Sequence, residues 1–161
     1  MLELSDLMPA VLLMRRPLLL PFPAPAWPDG IRLVPFEDQH ALAAHALLAE
    51  AYSIGGGTVP SRFVQWWNGV STDEEFDPGL CFVALADDGS MAGFALCWTS
   101  SFVKDIAVAP AHRRKGVAEA LLLAAFRELK ARGNEQIGLK VELDNPSGAQ
   151  RLYERLGFVI G

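Results

Sequence analysis

The run Ile106-Ala107-Val108-Ala109-Pro110-Ala111-His112-Arg113-Arg114-Lys115-Gly116-Val117-Ala118 decides how this chain is read. It begins as an apolar strand that Pro110 stops, crosses a basic loop with a single glycine, and enters an alanine- and leucine-rich helix. A strand that delivers a turn into a helix start leaves several backbone N–H groups without partners at the positive end of the helix dipole, which suits a phosphate. The segment therefore reads as an anion cradle. It has neither the GxxxxGK(S/T) spacing of a Walker loop nor the GxGxxG of a dinucleotide turn, because Gly116 stands alone. RxxGxA by itself also matches many ordinary basic helix starts, so the pattern needs support from the rest of the chain.

Downstream, Ala118, Leu122, Phe126 and Leu129 repeat at helical spacing as far as Lys130, and Gly133 closes that helix. Ile137, Leu139 and Val141 alternate with polar residues between Gln136 and Glu142, the pattern of a half-buried strand. Asn145 reads as an N-cap with Pro146 in the first turn of a helix whose apolar face is Ala149, Leu152, Tyr153 and Leu156, and Phe158 to Ile160 form a last strand. Upstream, Phe102 to Val108 is the third strand of a meander that starts with a hairpin, Leu80 to Ala86 and Met91 to Trp98, turned at Asp88-Gly89. That register sends the thiols of Cys81 and Cys97 to opposite faces, so no disulfide joins them, and their spacing offers no metal site. Before the hairpin come a short strand, Ile31 to Val34, a helix from Glu37-Asp38 to about Ser53, and a second from about Ser61 to Asn68 carrying Phe63, Trp66 and Trp67 on one side. The order β-α-α-β-β-β-α-β-α-β predicts an α/β fold, a mixed sheet flanked by helices.

The support for the cradle lies in the segment Asn145 to Phe158. With Arg113, Gly116 and Ala118 it makes the chain resemble the GNAT acetyltransferase superfamily, in which a coenzyme A loop (R/Q)-x-x-G-x-(G/A) is followed by a helix bearing N-x-x-A-x-x-x-Y-x-x-x-G-F. Here Ala149 comes one residue late, while Tyr153, Gly157 and Phe158 fall in step, and the resemblance extends from residue 31 to residue 160. It implies the GNAT fold, with a mostly antiparallel central sheet, and an enzyme that transfers an acetyl group from acetyl-coenzyme A to a primary amine of a small molecule or peptide without a metal. It implies that the backbone of Ile106, Ala107 and Val108 pairs with the pantetheine arm and that Asn145 touches it. The N–H groups of Arg114, Lys115, Gly116, Val117 and Ala118 would hold the pyrophosphate, with the Arg113, Arg114 and Lys115 side chains adding charge. Tyr153 would return a proton to the leaving thiolate.

Each role has a plain alternative, since Asn145 caps a helix without any ligand and Tyr153 suits a core. The chain departs from the family at Lys104, where many relatives carry a glutamate base. That leaves the proton acceptor among Asp105, Glu74, Glu75, Asp77, His40, His45 and a water relay. It also leaves a second function open, a catalytically weak module that binds or senses acyl-coenzyme A. Tyr52, Trp66 and Trp67 come from the helices that line the acceptor pocket in the family, and they suit the core equally.

A chain of 161 residues with 51% hydrophobic content holds one domain and needs no staple to fold. The net charge of -5 is uneven: residues 33–103 hold Arg62 alone against nine acidic residues, and residues 104–161 hold ten basic residues against seven acidic ones. This asymmetry predicts a cationic acceptor whose entrance is lined by Asp73 to Asp77 and Asp87-Asp88, and it argues against a nucleic-acid partner. No run approaches the ~18–20 apolar residues of a membrane span, and Glu3 and Asp6 precede the N-terminal apolar residues where a signal peptide wants bases, so the expected location is cytoplasmic. The proline-rich Pro21 to Gly30 reads as an extended linker, dividing an arm at 1–30 from a GNAT domain at 31–161. Only Gly161 follows the last strand, one strand short of the family's closing hairpin. Residues 11 to 16 are expected to fill that slot beside 136 to 142, in cis or swapped within a homodimer.

Overall fold

The computed structural model describes residues 11–55, 58–142 and 148–161. Seven strands, β1 (Val11–Pro17), β2 (Ile31–Pro35), β3 (Cys81–Ala86), β4 (Met91–Trp98), β5 (Phe102–Val108), β6 (Gln136–Glu142) and β7 (Val159–Ile160), form one sheet in the order β2-β3-β4-β5-β6-β1-β7. Every neighbouring pair is antiparallel except β5 and β6. The N-terminal strand fills the expected slot from the same chain, with Val11 opposite Glu142 and Pro17 opposite Gln136, and β7 pairs with the far side of β1.

Helices cover both faces. On one side α1 (Ala41–Gly55), entered through a short 3-10 turn at Asp38–His40, and α2 (Phe63–Ser71) bury Ala44, Leu48, Trp66 and Val70 against Val83, Phe94 and Leu96. On the other, α3 (Val117–Ala131) and α4 (Ala149–Arg155) cover Met14, Leu139, Val141 and Phe158. Gly93 sets the distance between α3 and the sheet, because a Cβ there would come within 2.8 Å of Val117 Cγ1. Cys81 belongs to the first core and Cys97 to the second, both as free thiols. No helix among the described residues is long and apolar enough to cross a membrane.

Arg16 anchors β1. It is 4% exposed, and its guanidinium donates to the carbonyls of Leu156 at 2.6 Å, Pro17 at 2.6 Å, Leu20 at 3.2 Å and Pro21 at 3.1 Å. It also lies over the rings of Phe126 and Phe22, at 4.9 and 5.3 Å. A buried cation is thus satisfied by carbonyl dipoles and ring faces.

One local expectation is corrected. The hairpin turns through the three residues Asp87-Asp88-Gly89, closed by the Gly89 N–H to Ala86 and by the Ala86 N–H to Ser90, and not around Asp88-Gly89 as a central pair. Gly89 takes the left-handed conformation at the end of this loop, and an extra residue at Ala92 restores the expected pairing of Cys81 with Leu96. The last helix is described from Ala149, with left-handed Gly148 as its N-cap, and the expected start at Asn145-Pro146 lies outside the described residues.

Candidate active site

β5 and β6 run parallel but pair only where they begin, Phe102 opposite Gly138 and Val103 opposite Leu139, and then they diverge. A cavity of about 690 Å³ fills the gap, bounded by β5, β6 and the start of α3, with Tyr52 of α1 and Leu152 and Tyr153 of α4 in its wall. That is the size of a small-molecule site.

The ladder to β4 fixes which backbone groups of β5 are free. The Ala109 N–H donates to Ala92, and from there Val108, Ala107 and Ile106 stand opposite Gly93, Phe94 and Ala95. Antiparallel bonds engage every second residue, so Ala107 is bound into the ladder while Ile106 and Val108 turn their N–H groups to the gap, where the Ile106 N–H meets the Tyr52 hydroxyl.

Past β5 the chain makes a 3-10 turn at Pro110–His112, then Arg114 takes φ 62° and Gly116 φ 92°, and α3 starts with no side chain capping it. A Cβ on Gly116 would meet nothing within 4 Å, so glycine serves here for its left-handed backbone and not for space. The uncapped N–H groups behind two left-handed residues provide what an anion needs. His112, Arg113, Arg114, Gly116, Val117 and Ala118 line the cavity at this end; Lys115 does not. The Arg113 side chain is engaged elsewhere, with Nε donating to Val108 O at 3.0 Å and Nη2 to Glu50 Oε2 at 2.9 Å.

Lys104 is an extra residue in β5, since Leu96 faces Asp105 while Cys97 faces Val103. This bulge exchanges the faces of the strand, so that Val103 packs in the core under α3 and Ala107 in the core under α1. It also carries Asp105, 4% exposed, beneath the end of α1. The Tyr52 hydroxyl donates to Asp105 Oδ1 at 2.8 Å, and Lys104 Nζ lies 3.0 Å from Oδ2 and 5.9 Å from the Trp98 ring. Burial, and after it the Asp105 carboxylate, pushes the Tyr52 phenol well above its ordinary range, so it remains a donor. Tyr153 is pushed up to about 12 by burial, lines the same cavity, and has no hydrogen-bond partner among the described residues.

The remaining residues singled out in the sequence stand apart. The indole N–H of buried Trp66 has no partner among the described residues, and Trp67 packs on Phe36 and Phe76; neither lines the cavity. His40 accepts the Glu37 N–H and His45 bonds the Pro60 carbonyl. Glu75 accepts the Ser100 N–H, Asp77 pairs with Arg132, and Asp88 bonds Ser90. The expectation that Asp73 to Asp77 and Asp87-Asp88 line the opening is therefore corrected: none of these carboxylates borders the cavity. Of the proton acceptors considered, Asp105 alone does. Its link to Tyr52 was hidden because a bulge leaves no mark in the alternation of a strand, and Glu50 carried no signal at all.

A sheet that splays beside an uncapped helix start, with a phenol and a buried carboxylate in the opening, is the frame of an α/β protein with a cleft between two parallel strands. Residues 27–158 match the Acetyltransferase (GNAT) family, and the chain belongs to it. It is 35% identical over 165 residues to mycothiol acetyltransferase of Thermobispora bispora, covering 90% of this chain and 52% of that protein. It is 29% identical over 140 residues to N-alpha-acetyltransferase 30 of Schizosaccharomyces pombe, covering 80% of this chain and 83% of that one. The GCN5-related N-acetyltransferase from Sphaerobacter thermophilus has the same fold, with a TM-score of 0.81 and 28% identity over 96% of this chain and 50% of that one. The chain spans about half the length of the mycothiol acetyltransferases it matches.

Proposed function

We propose that the chain carries an N-acetyltransferase site that takes acetyl-coenzyme A and a primary amine of a small molecule or peptide. The observation that carries this reading is the gap between β5 and β6, where the Val108 N–H, an uncapped helix start and the Tyr153 hydroxyl meet in one cavity. Relatives named mycothiol acetyltransferase and N-alpha-acetyltransferase support transfer to an amine without choosing its carrier.

The residues present fit coenzyme A: Val108 offers an N–H group to an extended arm as an added strand would receive it, and Ile106 offers one that the Tyr52 hydroxyl shares. Arg114 to Ala118 offer N–H groups, and Arg114 and Lys115 positive charge, to a pyrophosphate. When bound, acetyl-coenzyme A supplies an activated thioester. A β5 N–H stabilises the charge that develops on the carbonyl oxygen. Asp105 accepts, directly or through water, the proton that the acceptor's ammonium loses before the neutral amine attacks, and Tyr153 donates from its hydroxyl to the departing sulfur. Asn145, whose carry-over comes from the family pattern alone, would contact the arm.

The test is coenzyme A release from acetyl-coenzyme A across a polyamine, an amino sugar and an alanine-initiated peptide, with Tyr153→Phe as control. The expected result is amine-dependent release that falls about 100-fold in kcat in the variant. Release that no amine accelerates, with coenzyme A still bound, would instead identify the binding or sensing module that Lys104 keeps open.

A further inference from the structure

We propose that Arg113 serves the cofactor loop as a strut and not as a phosphate ligand, and that Glu50 of α1 is the positioning residue that makes it one. The inference rests on the coenzyme A reading above. Arg113 occupies the first place of the pattern completed by Gly116 and Ala118, and charge alone would send its side chain toward the pyrophosphate. The geometry sends it the other way, to the Val108 carbonyl at 3.0 Å and the Glu50 carboxylate at 2.9 Å.

Those two acceptors belong to different elements. One planar guanidinium thereby fixes the point where β5 becomes the loop against the face of α1, which a flexible point charge cannot do. The turn between them needs such help, because the Arg113 N–H reaches Pro110 O only at 3.5 Å. Two residues farther along α1, Tyr52 holds Asp105. The last turns of α1 therefore grip β5 at both ends of its open segment, at Asp105 and at Val108. The Glu50 and Arg113 side chains are 39% and 38% exposed, so their attraction is screened, and what the pair contributes is placement of the Ile106 and Val108 groups relative to the N–H groups at the start of α3. Glu50 also offsets the charge of Arg113, which leaves Arg114 as the loop cation that lines the cavity.

Calorimetric titration of coenzyme A into the wild-type chain, Glu50→Ala and Arg113→Lys separates the two roles, because they predict opposite signs. If Arg113 is a strut, Glu50→Ala weakens binding by about threefold to tenfold. If Arg113 is a phosphate ligand, removing a nearby carboxylate releases it and binding tightens. Arg113→Lys keeps the charge but loses the fork, so the strut reading expects a similar weakening and the ligand reading expects affinity near that of the wild type. Thermal melting of each variant reports that the fold is kept. A wild-type chain that takes up no coenzyme A overturns the proposed function and this inference together. A wild type that binds, with Glu50→Ala equal or tighter or with Arg113→Lys unchanged, overturns the inference alone.

Discussion

Strand β6 has neighbours of opposite character on its two flanks. Toward β1 it is paired along all of Gln136–Glu142, and that neighbour brings fully buried Met14 and the Arg16 anchor. Toward β5 it keeps two residue pairs before the strands part around the cavity. The alternation of β6 is the same on both sides, so the difference lies in the neighbours: β1 is regular, whereas β5 carries the Lys104 bulge and ends at Pro110. A sheet can leave one flank unpaired for a ligand only if burial elsewhere offsets the missing ladder, and here the N-terminal strand supplies that burial.

The strongest way to break this comparison is to remove the closed flank. Deleting residues 1–20 takes away Met14 and Leu18, both fully buried, and the whole β1 ladder. Large buried side chains contribute ~2–5 kcal/mol each against a total stability of ~5–15 kcal/mol. The truncated chain should melt at least ~10 °C lower or fail to fold cooperatively, read by circular dichroism. Unchanged melting would show that β1 rests on the sheet without supporting it.

The open flank should respond in the other way, in ligand affinity more than in stability. Gly116→Glu forces a side chain into φ 92°, at a cost of about 1–2 kcal/mol, and sets a carboxylate beside the N–H groups that face the anion. Coenzyme A binding should weaken about 30-fold or more while the melting temperature drops only a few degrees. Equal affinity would remove the pyrophosphate from the start of α3.

The two flanks also differed in how far they could be read from sequence. The strands at Phe102 to Val108 and Gln136 to Glu142 were legible because their apolar residues alternate and proline or glycine bounds them. The N-terminal strand was legible only through the resemblance, which implies a closing strand beside Gln136 to Glu142 that residues 11 to 16 suited. The loop from Arg113 to Ala118 showed itself through residue types at fixed spacing. The Asp105 and Tyr52 contact did not, because it depends on one inserted residue at Lys104 and on a helix that meets β5 53 positions away in sequence. The acidic stretch misled for a related reason: composition counts the charges of Asp73 to Asp77 but not where the turns around Pro78 point them.

Alkaline pH sharpens the comparison at the cavity wall. Tyr153 is held near 12 by burial, against about 10 in an unfolded chain. Below pH 10 both states keep the proton and stability is unaffected. Between pH 10 and 12 the unfolded chain ionises while the native one does not, so stability falls with rising pH, by up to about 2–3 kcal/mol. Urea unfolding at pH 8 and pH 11 should show a loss that is smaller in Tyr153→Phe, which has no proton to release. Equal losses in the two chains would mean that the hydroxyl is not desolvated.

The smallest effect should come from the acidic stretch, at a place that neither flank of β6 includes. Asp77 pairs with Arg132 at the end of α3, at 2.6 Å, with side chains about one third exposed (35% and 33%), and it accepts the Gly79 N–H at 2.8 Å. The Arg132 guanidinium holds its carboxyl below the ordinary range, followed by the Gly79 bond. A depressed carboxylate stabilises the fold above its unfolded pKa, and that contribution is lost as pH falls through the folded one. Asp77→Asn keeps an oxygen for Gly79 and loses the charge, so it should cost at most ~1 kcal/mol at neutral pH, a shift of about 2–3 °C in melting, and the gap from wild type should close in acid. Coenzyme A affinity and amine turnover should stay at wild-type values, because Asp77 does not border the cavity. Turnover that falls with Asp77→Asn would place the acidic stretch on the acceptor's route and show that the opening extends beyond the gap between β5 and β6.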